Sequence, residues 1–135
     1  MKLLLFQAKR FYWKSFSKTL ADAPEQDVAE TVYEALVAFL HAEAEDEFNP
    51  NIETKAVKNI KWLANKRNLK NIVLHSFTHL SASTASPEFA RKLLNRLDER
   101  LTNTGYRVWQ TPFGYFCEWD LAVYGDSLAK VFKEL

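Results

Sequence analysis

Cysteine, glycine and net charge are scarce in this 135-residue sequence. The one cysteine, Cys117, excludes an intrachain disulfide framework and a cysteine-based zinc site, and it suits a reducing compartment. The three glycines, Gly105, Gly114 and Gly125, all fall in the last third, and no flexible linker, repeat or low-complexity tract is visible. The chain therefore reads as a single domain over residues 1–135. A net charge of +1 offers no broad footprint for duplex nucleic acid, although a single-stranded end needs only a local patch. The opening run, Met1-Lys2-Leu3-Leu4-Leu5-Phe6, is too short for a signal peptide or membrane span, so the cytoplasm is the expected location and no membrane partner is expected. Nothing calls for a metal or another cofactor. What is abundant is ring: aromatic residues make up 14%, enough that some must line a cleft if they do not all fill the core.

Periodicity supplies the elements. Lys2 to Phe6 reads as a buried strand, and the alternation of Phe11 to Phe16 predicts a second strand returning beside it. Lys9, Arg10, Lys14 and Lys18 would gather near that turn, as a solvated edge or as a rim for phosphates. Ala29 to Glu47 fits two patterns. Its Ala, Glu and Leu content favours helix, while Ala35, Val37 and Phe39 alternate with Leu36, Ala38 and Leu40 as in a strand buried on both faces. Asn49-Pro50 predicts a helix start, with Ala56, Val57, Ile60, Leu63 and Ala64 as its apolar stripe. Ile72 to Phe77 is a short apolar strand. Ser86-Pro87-Glu88 then caps a helix carrying Ala90, Leu93, Leu94, Leu97 and Leu101 on one face, ended by Asn103-Thr104-Gly105. Arg107 to Gln110 and Phe116 to Tyr124 follow as strands around the Pro112-Phe113-Gly114 turn, and Ser127 to Phe132 is expected as a short terminal helix.

Two stretches carry chemistry. Phe77-Thr78-His79-Leu80-Ser81 follows the Ile72 strand, and Thr111-Pro112-Phe113-Gly114-Tyr115 lies about 30 residues later with a helix between. Together with Lys2-Leu3-Leu4-Leu5, Glu34-Ala35-Leu36-Val37-Ala38-Phe39 and Leu93-Leu94-Asn95-Arg96, they make the chain resemble the archaeal-type threonyl-tRNA synthetase editing domain over nearly its whole length. That resemblance implies an α/β fold of mixed β-sheets packed with two main helices and a short C-terminal helix, similar to D-aminoacyl-tRNA deacylases. It also implies that Tyr33 to Ala42 is a strand. The implied function is editing: a synthetase pocket rejects an amino acid lacking one methyl by only about 1–3 kcal/mol, so a second site hydrolyses mischarged seryl-tRNA(Thr). Water attacks the ester on the 3′-terminal adenosine, positioned by backbone amides and a few side chains, with help from the tRNA 2′-hydroxyl. The implied partners are the aminoacyl-tRNA 3′ end, a threonyl-tRNA synthetase and a second copy of the chain.

By resemblance, His79 orients substrate or water, Phe77 and Thr78 contribute backbone groups, and Phe113, Gly114 and Tyr115 form the adenosine platform or pocket wall. The departures bear on catalysis. The family continues Pro-Phe-Gly-Tyr with Tyr and a functional Lys, where this chain has Phe116 and Cys117. The family's acidic residue near the C-terminus is replaced by Lys130, whose ammonium could substitute for the missing one or simply be solvated. Gln7-Ala8-Lys9 stands for His-Ala-Asp, making Gln7 a reshaped pocket candidate, and His75-Ser76 stands for an aromatic and a proline. Cys117 itself is either a nucleophile served by a histidine or an inert buried thiol. Three activities fit: the seryl-tRNA(Thr) deacylase, a deacylase for another amino acid including D-amino acids, and a binding module that has lost hydrolysis.

Overall fold

Strand β1 organises the molecule. In the computed structural model, which describes residues 1–135, it runs unbroken from Lys2 to Lys18 and pairs antiparallel with β2 (Ala29–His41) along nearly its full length. The expected turn after Phe6 is absent. Gln7-Ala8-Lys9-Arg10 holds none of the Gly, Pro, Asn or Asp that tight reversals use, and the chain passes instead through a register shift between Ala8 and Arg10. The four basic residues are consequently strung along a strand rather than gathered. Arg10 pairs with Asp120, Lys18 with Glu25, and Lys9 lies over the Tyr124 ring.

The sheet order is β4 (Arg107–Gln110), β3 (Asn71–Ser76), β2, β1, β5 (Tyr115–Val123), with β6 (Lys130–Glu134) also on β1. β5 takes the edge of β1 from Ala8 to Lys18, leaving Lys2–Phe6 open, and β6 fills that vacancy. Here the expected terminal helix is corrected: only Ser127–Ala129 makes a 3₁₀ turn. An unpaired edge offers more than a six-residue helix could, because Val131 and Leu135 reach the main core while their backbone closes the ladder.

β2 is a strand, against its helix propensity. Lying between two strands, it buries Leu36, Ala38 and Leu40 on one face and Ala35, Val37 and Phe39 on the other. The first face is covered by α1 (Ile52–Asn65) and α2 (Pro87–Asn103), which form the crossovers between parallel strands β2, β3 and β4. α1 starts two residues later than expected, because Asn49 Oδ1 accepts from the Asn51 amide and spends itself on a turn. Ser86 caps α2 as its sequence predicts, accepting from the Phe89 N–H at 3.2 Å. Leu97 and Leu101 of α2 are wholly buried, and truncating either to alanine costs about 2–5 kcal/mol. The opposite face carries no helix. Its core is made of Phe11, Trp13, Val37, Phe39 and Val73, packed ring on ring. No helix is long and apolar enough to cross a membrane.

Candidate functional site

Parallel strands β2 and β3 end side by side, and the chain leaving β3 arches over the end of β2 before it enters α2. Beneath that arch lies a mostly apolar cleft of about 320 Å³, the size of a small-molecule site. Its walls include His75 to His79, the α2 residues Pro87, Ala90, Leu93 and Leu94, the turn Pro112 to Phe116, and Cys117 and Trp119 of β5.

The arch is held by groups at the end of β2. The Leu80 amide donates to His41 Nδ1 at 3.0 Å, which puts the ring proton on Nε2 for donation to Thr84 Oγ1 at 3.1 Å. Phe77 N–H donates to the Leu40 carbonyl and Ala85 N–H to the Ala42 carbonyl, each at 2.9 Å. Glu43 accepts from Ser81 Oγ at 2.6 Å and pairs with the Met1 ammonium at 2.8 Å and with Lys2. Burial alone would raise the Glu43 pKa. The hydrogen bonds from the ammonium, Ser81 and Lys2 outweigh it and hold the carboxyl at about 2. Reading the sequence for motifs misses His41 and Glu43. The signal was there: a histidine and an acid closing the buried run of β2 must find partners, since burying them unpaired is costly.

The floor of the cleft is His75. It is 5% exposed, its ring centroid lies 4.8 Å from that of Phe39, and its Nδ1 meets Thr111 Oγ1 at 2.8 Å. Burial lowers its pKa to about 4, so the ring is neutral at physiological pH.

The rim is open. His79 and Thr78 are exposed, and the His79 ring stands edge-on to Phe77, 4.8 Å between centroids. The amide N–H groups of Thr78 and His79 find no acceptor within the chain, whereas that of Phe77 is consumed by the Leu40 carbonyl. Phe113 lines the cleft with the Arg91 guanidinium 5.3 Å over its ring. Gly114 has φ +80, and a Cβ there would press to 3.1 Å from Ala23 Cβ, so the position suits glycine alone. Its carbonyl accepts from the amides of Thr19 and Leu20. The Tyr115 hydroxyl donates to the Pro24 carbonyl at 2.7 Å and accepts from the Gln26 amide, leaving its ring on the cleft wall. Phe116 is 56% exposed at the mouth.

Of the other expected site residues, Cys117 lines the cleft, but its thiol makes no hydrogen bond to a histidine and burial raises its pKa, so no thiolate–base pair is assembled. Gln7 and Lys130 lie outside. Gln7 is buried beneath α1, donating from Nε2 to the Leu63 carbonyl at 2.8 Å and accepting from Arg67 Nε. Lys130 opens β6 and gives its ammonium to the carbonyls of Tyr124, Gly125 and Asp126, at 3.0, 3.4 and 3.4 Å. An ammonium reaching the cleft from a terminal helix is thus corrected on both counts: the helix is a strand, and the charge is occupied in a turn. The arrangement provides a mostly apolar cleft, aromatic walls, two free backbone donors at its lip and a neutral imidazole at its base.

Comparison with known proteins places these features. The profile of the archaea-specific editing domain of threonyl-tRNA synthetase matches residues 1–135. The chain is 35% identical over 138 residues to a threonine–tRNA ligase of Methanosphaera stadtmanae, 34% over 140 residues to that of Staphylothermus marinus and 30% over 136 residues to that of Methanocaldococcus jannaschii. In each case all of the chain is covered but only 22% of the relative, so it spans about a fifth of the length of these enzymes. Among solved structures, the c-Myc DNA unwinding element binding protein shares the fold with a TM-score of 0.72 at 15% identity, over 100% of this chain and 99% of that one.

Proposed function

The chain belongs to the archaea-specific family of threonyl-tRNA synthetase editing domains, and we propose that it hydrolyses the ester of mischarged seryl-tRNA(Thr) at the 3′-terminal adenosine. The observation that carries this reading is the pair of unpaired amides, Thr78 and His79, at the lip of an apolar cleft of small-molecule size. Attack of water on the ester carbonyl places negative charge on its oxygen, and two N–H donors held by the arch at the edge of an apolar cleft are suited to that charge. The acyl carbon–oxygen bond then breaks, the ribose oxygen takes a proton, and serine leaves as the acid. His79, exposed beside these amides, orients the water. Phe113, Tyr115 and Phe116 offer ring faces to the adenine.

The activity is tested by incubating seryl-, threonyl- and D-aminoacyl-tRNA with the protein. Seryl-tRNA(Thr) is expected to be cleaved and threonyl-tRNA(Thr) spared. Phe113→Ala should weaken binding of a 3′-aminoacyl-adenosine analogue about 5- to 150-fold, from about 1–3 kcal/mol per stacked base; unchanged binding would return Phe113 to the core. A second reading, a binding module without hydrolysis, is favoured by the half-buried, protonated thiol at Cys117 and by the absence of the Lys130 ammonium from the cleft. Binding of all three tRNAs with turnover of none would select it. The remaining partners follow from the same reading. A threonyl-tRNA synthetase in the cytoplasm supplies the mischarged tRNA. A second copy covers the helix-free face, where Phe132 is 49% exposed beside Leu4; a strictly monomeric sedimentation profile would remove the dimer.

A further inference from the structure

The cleft has one polar side chain that is buried, and it is His75. The Thr111 hydroxyl has no hydrogen-bond partner except His75 Nδ1. A buried hydroxyl left without an acceptor is costly, so Thr111 donates and Nδ1 accepts, which places the ring proton on Nε2. That Nε2–H bonds nothing within the chain. It is not sealed in the core either, because Asn71 Oδ1 is the only enclosed side-chain polar atom without a partner. The donor therefore faces the cleft. Its orientation is fixed by Thr111 on one side and by the rings of Phe39 and Phe77, at 4.8 and 6.0 Å, on the other. The other two histidines differ: both ring nitrogens of His41 are engaged with the arch, and His79 is exposed without a hydrogen bond to hold it.

We propose that His75 contacts the substrate, its Nε2–H donating to the side-chain hydroxyl oxygen of the aminoacyl group at the base of the cleft. The assignment rests on the editing reading for the identity of the ligand, and on the geometry of His75 for the contact. With the adenosine against the rings at the mouth, the amino-acid side chain is the part of the ligand that reaches the floor. The neutral state of the ring, held by burial, makes Nε2 a single directed donor rather than a solvated charge. Such a donor selects by what it leaves unpaired. A hydroxylated side chain satisfies it, and an alanyl group, which has no oxygen, strands it in an apolar wall.

The test compares seryl and alanyl esters on the same tRNA for the parent, His75→Phe and His75→Gln. Phenylalanine keeps the ring contacts with Phe39 and removes the donor, and glutamine keeps an N–H. The parent is expected to favour the seryl ester about 10- to 100-fold. His75→Phe should lose that preference through a fall in the seryl rate and a rise in the alanyl rate, and His75→Gln should recover part of it. Equal seryl-to-alanyl ratios in the parent and a folded His75→Phe would overturn the proposal. If the parent cleaves no ester, the editing reading fails separately, and the contact is then read from the amide-linked 3′-seryl- and 3′-alanyl-adenosine analogues. A dissociation-constant ratio lost in His75→Phe, with a shift of the His75 Nε2 resonance on adding the seryl analogue alone, supports it. Identical ratios and no shift refute it.

Discussion

His75 and His79 stand four residues apart at the end of one strand, and the fold gives them opposite circumstances. His75 is enclosed by rings, bonded to Thr111 and neutral; His79 is in solvent, with only Phe77 against its edge. The difference follows from the pleat and its end. β3 runs from Asn71 to Ser76, so His75 still obeys the alternation that directs Val73 inward, while His79 lies in the arch beyond it. The same divide separates floor from rim throughout the site. Floor groups are held by partners distant in sequence and set shape, His75 alone keeping one ring N–H unspent toward the cleft. Rim groups are free and set contact. Substitutions on the two sides should therefore fail in different ways, the floor in stability, with selectivity added at His75, and the rim in function.

The sharpest contrast is between His41 and His79. His41→Ala deletes a wholly buried ring and strands the Leu80 amide beneath the arch. We expect a loss of about 3–5 kcal/mol in urea denaturation, from cavity and unsatisfied donor together. His79→Ala should change stability by less than about 0.5 kcal/mol, as at most surface positions, while slowing deacylation. Comparable stability losses in the two variants would abolish the floor–rim distinction.

Acid should then act on the floor. The His75 pKa falls from the ordinary 6.5 to about 4 in the folded protein. Between those values the unfolded chain binds a proton that the folded chain refuses. Stability is accordingly complete above pH 6.5 and declines as pH drops toward 4, by about 3 kcal/mol in total. Below pH 4.5 Glu43 adds a second decline down to about 2, as its paired carboxylate is protonated. Denaturant midpoints of the parent and His75→Phe, measured from pH 7 to 5, should diverge: the variant stays flat over the range in which the parent weakens. Parallel curves would show that His75 is not held neutral by burial.

What could be read from the sequence follows the same divide. The Ser86 cap and the leucine spacing of α2 are local signals, and the helix obeys them. Phe113 and His79 sit in short motifs, and both reach the cleft. β2 required knowing that it lies between two strands, because its composition alone favours helix. The floor was out of reach for the same reason. His41 meets Thr84 across 43 positions and His75 meets Thr111 across 36, and no periodicity encodes such pairs. Lys130 was misplaced because the open edge of β1, which draws the last strand in, exists only once β5 has paired farther along.

At the rim a smaller effect is expected from Arg91. It lies over Phe113 with no carboxylate bound to it, whereas its neighbour Lys92 is paired with Glu88. If the strand leaves the cleft past this guanidinium, Arg91→Ala should reduce the slope of log K against log salt for tRNA by about 1. Binding of a 3′-aminoacyl-adenosine analogue, which has no phosphate, should not change. A loss shared by both ligands would mean that Arg91 supports the Phe113 ring instead of contacting the nucleic acid backbone.

The smallest effect belongs to Cys117, which is on the cleft wall but chemically on the side of the floor. A nucleophilic cysteine needs a thiolate, and hence a nearby cation, a base or a helix N-terminus to lower its pKa. Cys117 has the reverse: its pKa is raised by burial against the Phe11 and Phe39 cluster, and no imidazole is bonded to it. Serine would be a poor probe, since its hydroxyl could itself take up a polar role. Alanine removes both the sulfur and any proton it carries. Cys117→Ala should therefore deacylate seryl-tRNA(Thr) within about twofold of the parent rate, a change worth less than about 0.5 kcal/mol in the barrier. A fall of a hundredfold or more, with the fold intact, would move the chemistry from water at the rim to sulfur in the wall.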